Sequence, residues 1–380
     1  MAPIMDFEFS EDQKLIQEQV RGVLAKLSTP EHVRKILDTS EAYDKSLWQQ
    51  AAELGWTATH IPEEYGGLGW GYLELAVIAE ELGRSLAPIP FSSSVYLATE
   101  ALIMSGTSEQ KEQYLPKLAS GELIGALAMA EQQGLFDASA LTSTVTDGKL
   151  SGFKLPVADG DIADFAVVVA NGPGGCSLYL VDLNDSGVSR TPLKTIDPSR
   201  PHARLDFDCV SAQLLGEPGQ GEAHLTRLLD IAAVLFAFEQ VGGSQAALDM
   251  GIEYSRNRYA FGRQIASFQA IKHKFADMYT SLELARSNAY YGVWALSCLD
   301  SGDDSPELAL AAATARVSAT DAYYLCSKEN TQAHGGMGFT WEFNCHLYYR
   351  RAQLLSLNVG AQPYWRDRLV EHLLISEKVA

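Results

Sequence analysis

The segment LTRLLDIAAVLFAFEQVGGSQAALDMGIEYSRNR, residues 225–258, constrains the fold more than any other. It holds no proline, and through AAVLFAFEQVGG it is apolar on nearly every face. A helix of that kind cannot run along a wetted surface, so the segment predicts one long helix buried in a bundle or an oligomer. Glu239 is the single carboxylate of the apolar run. An acid in such surroundings has to be paired, protonated or functional. Two further long periodic segments, residues 268–299 and 305–333, follow it, with Pro306 expected in a first helical turn.

The rest of the chain divides by texture. From residue 6 to about 125 the apolar spacing is helical. Ser10 stands as an N-cap ahead of Glu11 and Asp12, and Leu15, Ile16, Val20, Val23, Leu24 and Leu27 fall on one face. From Leu123 to about Leu215 the runs LIGALAMA, STVTDGKLSGFKL, FAVVVA, CSLYLVDL and ARLDFDCV read as short strands, punctuated by Asp147-Gly148, Asp159-Gly160 and Gly174-Gly175. Strands at that spacing with no helix between them predict a small antiparallel barrel or sandwich. The expected class is therefore a multi-domain α+β chain. It has an N-terminal helical domain (1–122), a middle antiparallel β-barrel or sandwich (123–222) and a C-terminal four-helix bundle (223–380).

Composition excludes some roles. The chain has 380 residues, and 29 Lys and Arg against 48 Asp and Glu leave a net charge of −19. Such a surface argues against coating nucleic acid or docking on anionic lipid. Five cysteines with no CxxC and no Cys/His cluster predict neither a disulfide scaffold nor a metal site, and point to a reducing, cytoplasmic setting. No apolar run is long enough to span a bilayer, and MAPIMDFEFSEDQ has no apolar signal core, so no secretion signal is expected.

Two strings stand out chemically. In RNRYAFGRQIASFQ, residues 256–269, three arginines fall within eight positions of an acidic chain. Arginine's planar donors suit phosphate oxygens, although the same residues could pair with the chain's many acids. The second string is QAHGGMGFTWE, residues 332–342. Its paired glycines allow close backbone approach to a ligand or a positive φ, and Gly pairs also simply end helices. His334 on its own reads as a packed histidine rather than a base.

Taken together and in this order, the two strings resemble the acyl-CoA dehydrogenase family. QAHGGMGFTWEFNCHLYYRRA (332–352) resembles that family's Gln-x-x-Gly-Gly-x-Gly-Phe signature with its following Arg and Ala. IPEEYGGLG (61–69) and AEELGRS (79–85) are similar to its N-terminal strings, and the helical, β, helical order agrees over essentially the whole chain. The resemblance implies FAD as cofactor. Arg258, Phe261, Gln269, Gln332, Gly335 and Gly336 would contact an FAD held mainly by a neighbouring subunit. It also implies an oligomer, typically a tetramer, an acyl-CoA substrate and an electron-transfer flavoprotein as acceptor.

The chain departs from the family at the flavin ring and at the base. The family's Thr-Glu-Pro-x-Ala-Gly-Ser-Asp string is matched by the stretch from Ala128 to Leu135, with Ala130 in place of the Thr. Its Trp-Ile-Thr string is matched within Leu155-Pro156-Val157-Ala158. The usual Glu-Gly base pair reads Val359-Gly360, and the alternative base position falls on Ala232. Removing an α-proton next to a thioester requires a positioned carboxylate, and Val359 cannot take a proton. Glu239, seven residues past Ala232, is the candidate base within this chain. Its other reading is a structural partner for a buried Arg or amide. The expected function is thus FAD-dependent α,β-desaturation of an acyl-CoA by a subunit of a hetero-oligomer with shared FAD sites. Its partner would be a paralogous acyl-CoA dehydrogenase chain, and by analogy the acyl group would be bulky, such as a sterol side chain. The alternative is a catalytically inactive subunit that stabilises an active paralogue.

Overall fold

The structure, a computed structural model, describes residues 10–39, 41–131, 136–300 and 305–379. The N-terminal helices are α1 (Glu11–Leu27), α2 (Pro30–Asp38), α3 (Lys45–Glu53) and α4 (Tyr72–Arg84). A π-helical stretch, Ser92–Thr99, runs into α5 (Glu100–Ser105), and α6 (Ser108–Ala119) closes the set. The Ser10 cap is present: its hydroxyl accepts from the Gln13 amide while the Gln13 side chain accepts from the Ser10 amide, a reciprocal capping box.

Seven strands follow: β1 (Gly125–Ala128), β2 (Thr144–Thr146), β3 (Lys149–Ala158), β4 (Phe165–Gly172), β5 (Gly175–Asp182), β6 (Val188–Leu193) and β7 (His202–Leu215). Strands β4, β2, β3, β7 and β5 pair in that order, and β5 pairs back onto β4 to close a five-stranded ring. The sheet is not wholly antiparallel, as the sequence predicted. β1–β4 and β2–β4 are parallel, because the β2–β3 hairpin intervenes before the chain returns beside both. Asp147 and Gly148 both take positive φ, 50° and 72°, as a tight hairpin turn with right-handed strand twist requires. β6 was not legible in the sequence; VSRTPL alternates without a buried face.

The long apolar segment is a single helix, α7 (Gly221–Asn257), which starts two residues before the expected boundary at 223. A two-stranded hairpin, β8 (Tyr259–Ala260) and β9 (Arg263–Gln264), leads to α8 (Gln269–Asp300), α9 (Leu308–Ala333), α10 (Cys345–Leu355) and α11 (Gln362–Val379). Pro306 precedes α9 by two residues instead of lying in its first turn. The helical C-terminal part is built on α9, against which α7, α8, α10 and α11 all pack. No helix among the described residues is long and apolar enough to cross a membrane.

Helix α4 crosses α7 at backbone distance. A Cβ on Gly83 would lie 1.8 Å from the Glu239 carbonyl oxygen, and a Cβ on Gly242 would lie 1.8 Å from that of Glu80. The two glycines, one on each helix, admit the partner helix reciprocally, which is why α7 carries Gly242 in an otherwise large-residue run. Gly242→Ala is expected to lower unfolding stability by at least about 1–3 kcal/mol through overpacking. Gly22→Ala, in mid-α1 with open space at the Cβ, is expected to raise it by up to about 1 kcal/mol. Paired denaturant titrations check both signs.

Candidate functional site

The two signature strings meet on one surface. Tyr254, one turn before the end of α7, stacks its ring on His334 at 4.0 Å between centroids. Its hydroxyl donates to the His334 carbonyl at 3.5 Å. His334 is buried and packed, and its Nδ1 donates to the Asn330 carbonyl at 2.8 Å. Burial pushes its pKa below the ordinary histidine value, the bond to Asn330 opposing. The C-terminal end of α7 is thereby fixed against the turn that carries Gly335 and Gly336.

Around this joint the candidate residues point outward. Arg258 is the C-cap of α7 and is exposed, as are Gln269, the first residue of α8, and Gln332 near the end of α9. Phe261 is 94 % exposed and held at φ 53° at the tip of the β8–β9 hairpin. Its only ring contact among the described residues is edge-on to Phe268 at 6.3 Å, and a bulky, largely exposed residue at positive φ is a strained feature of the kind that marks a binding surface. Among the described residues Arg256, Arg258 and Arg263 form no ion pair, so the alternative reading of this cluster as internal salt bridges is not realised. Arg263 instead lies over the Phe268 ring at 4.0 Å.

The three glycines of the turn differ in what they serve. A Cβ on Gly338 would strike the Thr331 carbonyl at 2.3 Å, and Gly335 has φ 60°. Gly336 has neither a positive φ nor any atom within 4 Å of the Cβ position. No described residue requires glycine there, which leaves its bare backbone open to approach from outside the chain. A phosphate-bearing, extended cofactor such as FAD fits this surface: unpaired guanidiniums, an open glycine turn, exposed amides and a protruding aromatic.

The flavin-ring positions lie on the barrel. Ala130 is buried, and Gln132 to Leu135 lie outside the described residues. Glu131 accepts from Lys154 Nζ at 2.8 Å, from Thr142 N and Oγ1 at 2.6 Å each, and from Ser143 N at 3.0 Å. Burial opposes its ionisation, but these donors prevail and bring the carboxyl to about 2. Pro156 is exposed and Ala158 half-buried, and neither Ala130 nor any residue of Leu155-Pro156-Val157-Ala158 carries a hydroxyl.

The base positions lie elsewhere again, halfway along α7. Glu239 is 2 % exposed. Its Oε1 is 3.2 Å from Arg200 Nη1 and 3.8 Å from Arg351 Nη1. Arg351 also donates to Asp197 (2.6 Å), Ser199 Oγ (2.9 Å) and the Leu86 carbonyl (3.3 Å), while Arg200 donates to Ser92 Oγ. Arg316 donates to Gln240 Oε1 and to the carbonyls of Leu355 and Asn358, pinning the turn on which Val359 sits at φ 53°. Burial draws the Arg316 guanidinium down to about 9, with Glu239 opposing. Asp197, Arg200, Arg316 and Arg351 were not singled out from the sequence, since they come from three distant segments. The doubled arginine of Arg350-Arg351-Ala352, where the resembled family reads Arg-Asp-Ala, was the one available signal.

A depression of about 610 Å³ lies between the N-terminal ends of α7 and α9, lined by Glu222, Thr226, Arg227, Asp230 and Pro306 among others. At 1.5 Å rise per residue Asp230 is about 40 Å along α7 from Arg258, so this depression is separate from the surface of the two strings. Burial pushes the Asp230 carboxyl up despite its ion pair with Arg368.

Comparison with known proteins agrees with this layout. Residues 10–122 match the family model described as acyl-CoA dehydrogenase, N-terminal domain, and residues 219–374 the one described as acyl-CoA dehydrogenase, C-terminal domain. The chain is 34 % identical over 343 residues to acyl-CoA dehydrogenase IpdE2 of Mycobacterium tuberculosis, covering 90 % of this chain and 91 % of that one. It superposes with TM-score 0.88 at 26 % identity on a chain of the ChsE4–ChsE5 complex from Mycobacterium tuberculosis, over 97 % of this chain and 99 % of that one. With the Tcur3481–Tcur3483 steroid ACAD the TM-score is 0.86 at 28 % identity, over 97 % and 99 %.

The Asp197–Arg351 pair gives a pH prediction. Burial alone would raise the Asp197 carboxyl, but Arg351 and the Ser199 donors outweigh it and hold it below its ordinary value. A carboxylate depressed by folding stabilises the folded chain above its unfolded pKa and loses that contribution as pH falls through the folded one. Asp197→Asn is therefore expected to cost about 3–5 kcal/mol at neutral pH, the usual cost of breaking a buried pair from one side. The gap to wild type should narrow below about pH 4. Urea unfolding at pH 7 and pH 3 checks this; an equal gap at both would sink the ion-pair assignment.

Proposed function

This chain belongs to the acyl-CoA dehydrogenase family, and on that footing we propose that it is one subunit of an FAD-dependent acyl-CoA dehydrogenase hetero-oligomer with shared FAD sites. The observation that carries the reading is a separation along α7. Glu239, and the Val359 turn that Arg316 ties to Gln240, lie about 28 Å along the helix from Arg258. The surface suited to the cofactor and the positions of a base therefore belong to different reaction centres. Arg258, Phe261, Gln269, Gln332, Gly335 and Gly336 reach an FAD seated mainly on a partner subunit, a paralogous chain in a tetramer.

The reaction is α,β-desaturation: a carboxylate takes the α-proton of an acyl-CoA thioester and the β-hydrogen leaves with its electron pair. Bound FAD supplies the acceptor for that hydride, at flavin N5. Within this chain Glu239, the one carboxylate of the apolar run AAVLFAFEQVGG, is the candidate base. Its ion pairs with Arg200 and Arg351 favour a supporting role, with the base drawn from the partner. Ala130, Ala158 and Val359 favour the same division, since each lacks the group the family's chemistry uses there. Relatives described as a steroid ACAD and as the ChsE4–ChsE5 complex support a bulky, steroid-like acyl group and a heteromeric assembly. We also assign to this reading an electron-transfer flavoprotein as acceptor, a cytoplasmic setting, and domains at 1–122, 123–222 and 223–380.

A flavin spectrum and native mass decide the reading. The chain purified alone is expected to be colourless, and yellow when co-purified with a paralogue carrying a complete flavin-ring loop. A yellow homo-oligomer with one FAD per chain would overturn the shared site. Arg258→Gln in the yellow assembly is expected to weaken FAD about tenfold or more, as loss of a charge-assisted phosphate contact does. Glu239→Gln separates its two roles: a supporting residue lowers thermal stability, whereas a base abolishes turnover with stability kept.

A further inference from the structure

Beside the signature strings lies a cluster that none of the roles above uses. Trp341, two residues past the Gly335–Phe339 turn, is 47 % exposed. The Arg34 guanidinium from α2 lies 5.2 Å from the centre of its ring and that of Arg350 from α10 lies 5.4 Å away. His346, one turn before Arg350 on α10, stacks against the indole at 4.6 Å. Arg34 is oriented by Asn344 Oδ1 at 2.8 Å and the Phe343 carbonyl at 3.0 Å. Among the described residues neither Arg34 nor Arg350 forms an ion pair, in a chain with 48 acidic residues. Phe343 in turn packs edge-on against Tyr254 and His334, so the cluster is rigidly joined to the Gly335–Gly336 turn.

Two guanidiniums brought to one indole repel each other, and among the described residues no carboxylate forms an ion pair with either, although Arg34, after the Thr29 hydroxyl, helps to lower the pKa of Glu31 one turn before it. An exposed aromatic plane flanked by unpaired cations, a few residues from a bare glycine backbone, is matched by a ligand that combines a planar ring with phosphate. We propose that Trp341, with Arg34 and Arg350, forms a platform for the adenine-nucleotide end of the dinucleotide cofactor. This rests on the FAD reading above and extends it to residues outside both signature strings. An acidic protein surface would need the charge but not the open indole.

The test uses the assembly that binds flavin and compares FAD with FMN, which lacks the adenylate. Trp341→Ala is expected to weaken FAD about tenfold, the order seen when a base loses an aromatic partner, and to leave FMN binding unchanged. Trp341→Phe should restore most of the loss, and Arg350→Gln should also weaken FAD selectively. Native mass should not change. Equal FAD affinity in wild type and Trp341→Ala, or equal losses for FAD and FMN, would overturn the platform. So would dissociation of the assembly, which would assign the cluster to a protein interface. If the wild-type assembly binds no FAD at all, the cofactor reading itself fails, and that is read before any variant is made.

Discussion

The fold hangs on buried charge. Arg351 reaches from α10 into the interior and there holds Asp197 and Ser199 of the segment leading into β7, and the carbonyl of Leu86 after α4. Arg200, from the same segment, ties Glu239 of α7 to Ser92 of the π-helical stretch. One connected set of charges therefore joins the N-terminal helices, the barrel and the C-terminal helices. Ions removed from water cost several kcal/mol each unless their partners are in place, so the set tolerates little displacement of any one part. The close crossing of α4 and α7 at Gly83 and Gly242 has the same consequence, because backbone in contact with backbone leaves no side chain to adjust.

This explains which features were legible in the sequence. The length and burial of α7 were, because a run apolar on every face has only one place to go. The Ser10 cap and the Asp147-Gly148 turn were, because each satisfies a local rule that does not depend on the rest of the fold. The parallel pairings of β4 were not: they arise from where the chain returns after the β2–β3 hairpin, and no local pattern encodes that return. Nor was the β8–β9 hairpin, since Phe261 is a poor residue for positive φ and gave no turn signal. The ion network was opaque for a similar reason. Glu239 announced itself by being alone among apolar neighbours, but its partners sit far off in sequence, at position 200 in an unremarked stretch and at position 351 at the end of the second signature string.

The candidate site was legible as two strings and illegible as a geometry. The sequence placed Arg258 and Gly336 in motifs; only the structure joins them through the Tyr254–His334 stack and shows that no described residue requires Gly336 to be glycine. Trp341 carries no local pattern that marks it within the second string, and the structure places it as an open indole between two arginines.

The distribution of unpaired cations then becomes informative in itself. A chain of net charge −19 has ample carboxylates to pair its 29 basic residues. Buried arginines such as Arg351 and Arg368 are duly paired, and so are surface ones such as Arg84 and Arg366. Yet Arg34, Arg256, Arg258, Arg263 and Arg350, drawn from α2, the end of α7, the hairpin and α10, form no ion pair among the described residues. Two of these groups flank the Tyr254–His334 joint, one through the α7 C-terminus and one through Phe343. Folding alone would favour pairing them with nearby acids, since even exposed pairs are seldom unfavourable. A surface that withholds carboxylates from five arginines while exposing Phe261, Phe339 and Trp341 has its counter-charge elsewhere. On the proposed function, the phosphates of a shared cofactor would supply that charge, and a partner chain would cover the aromatics.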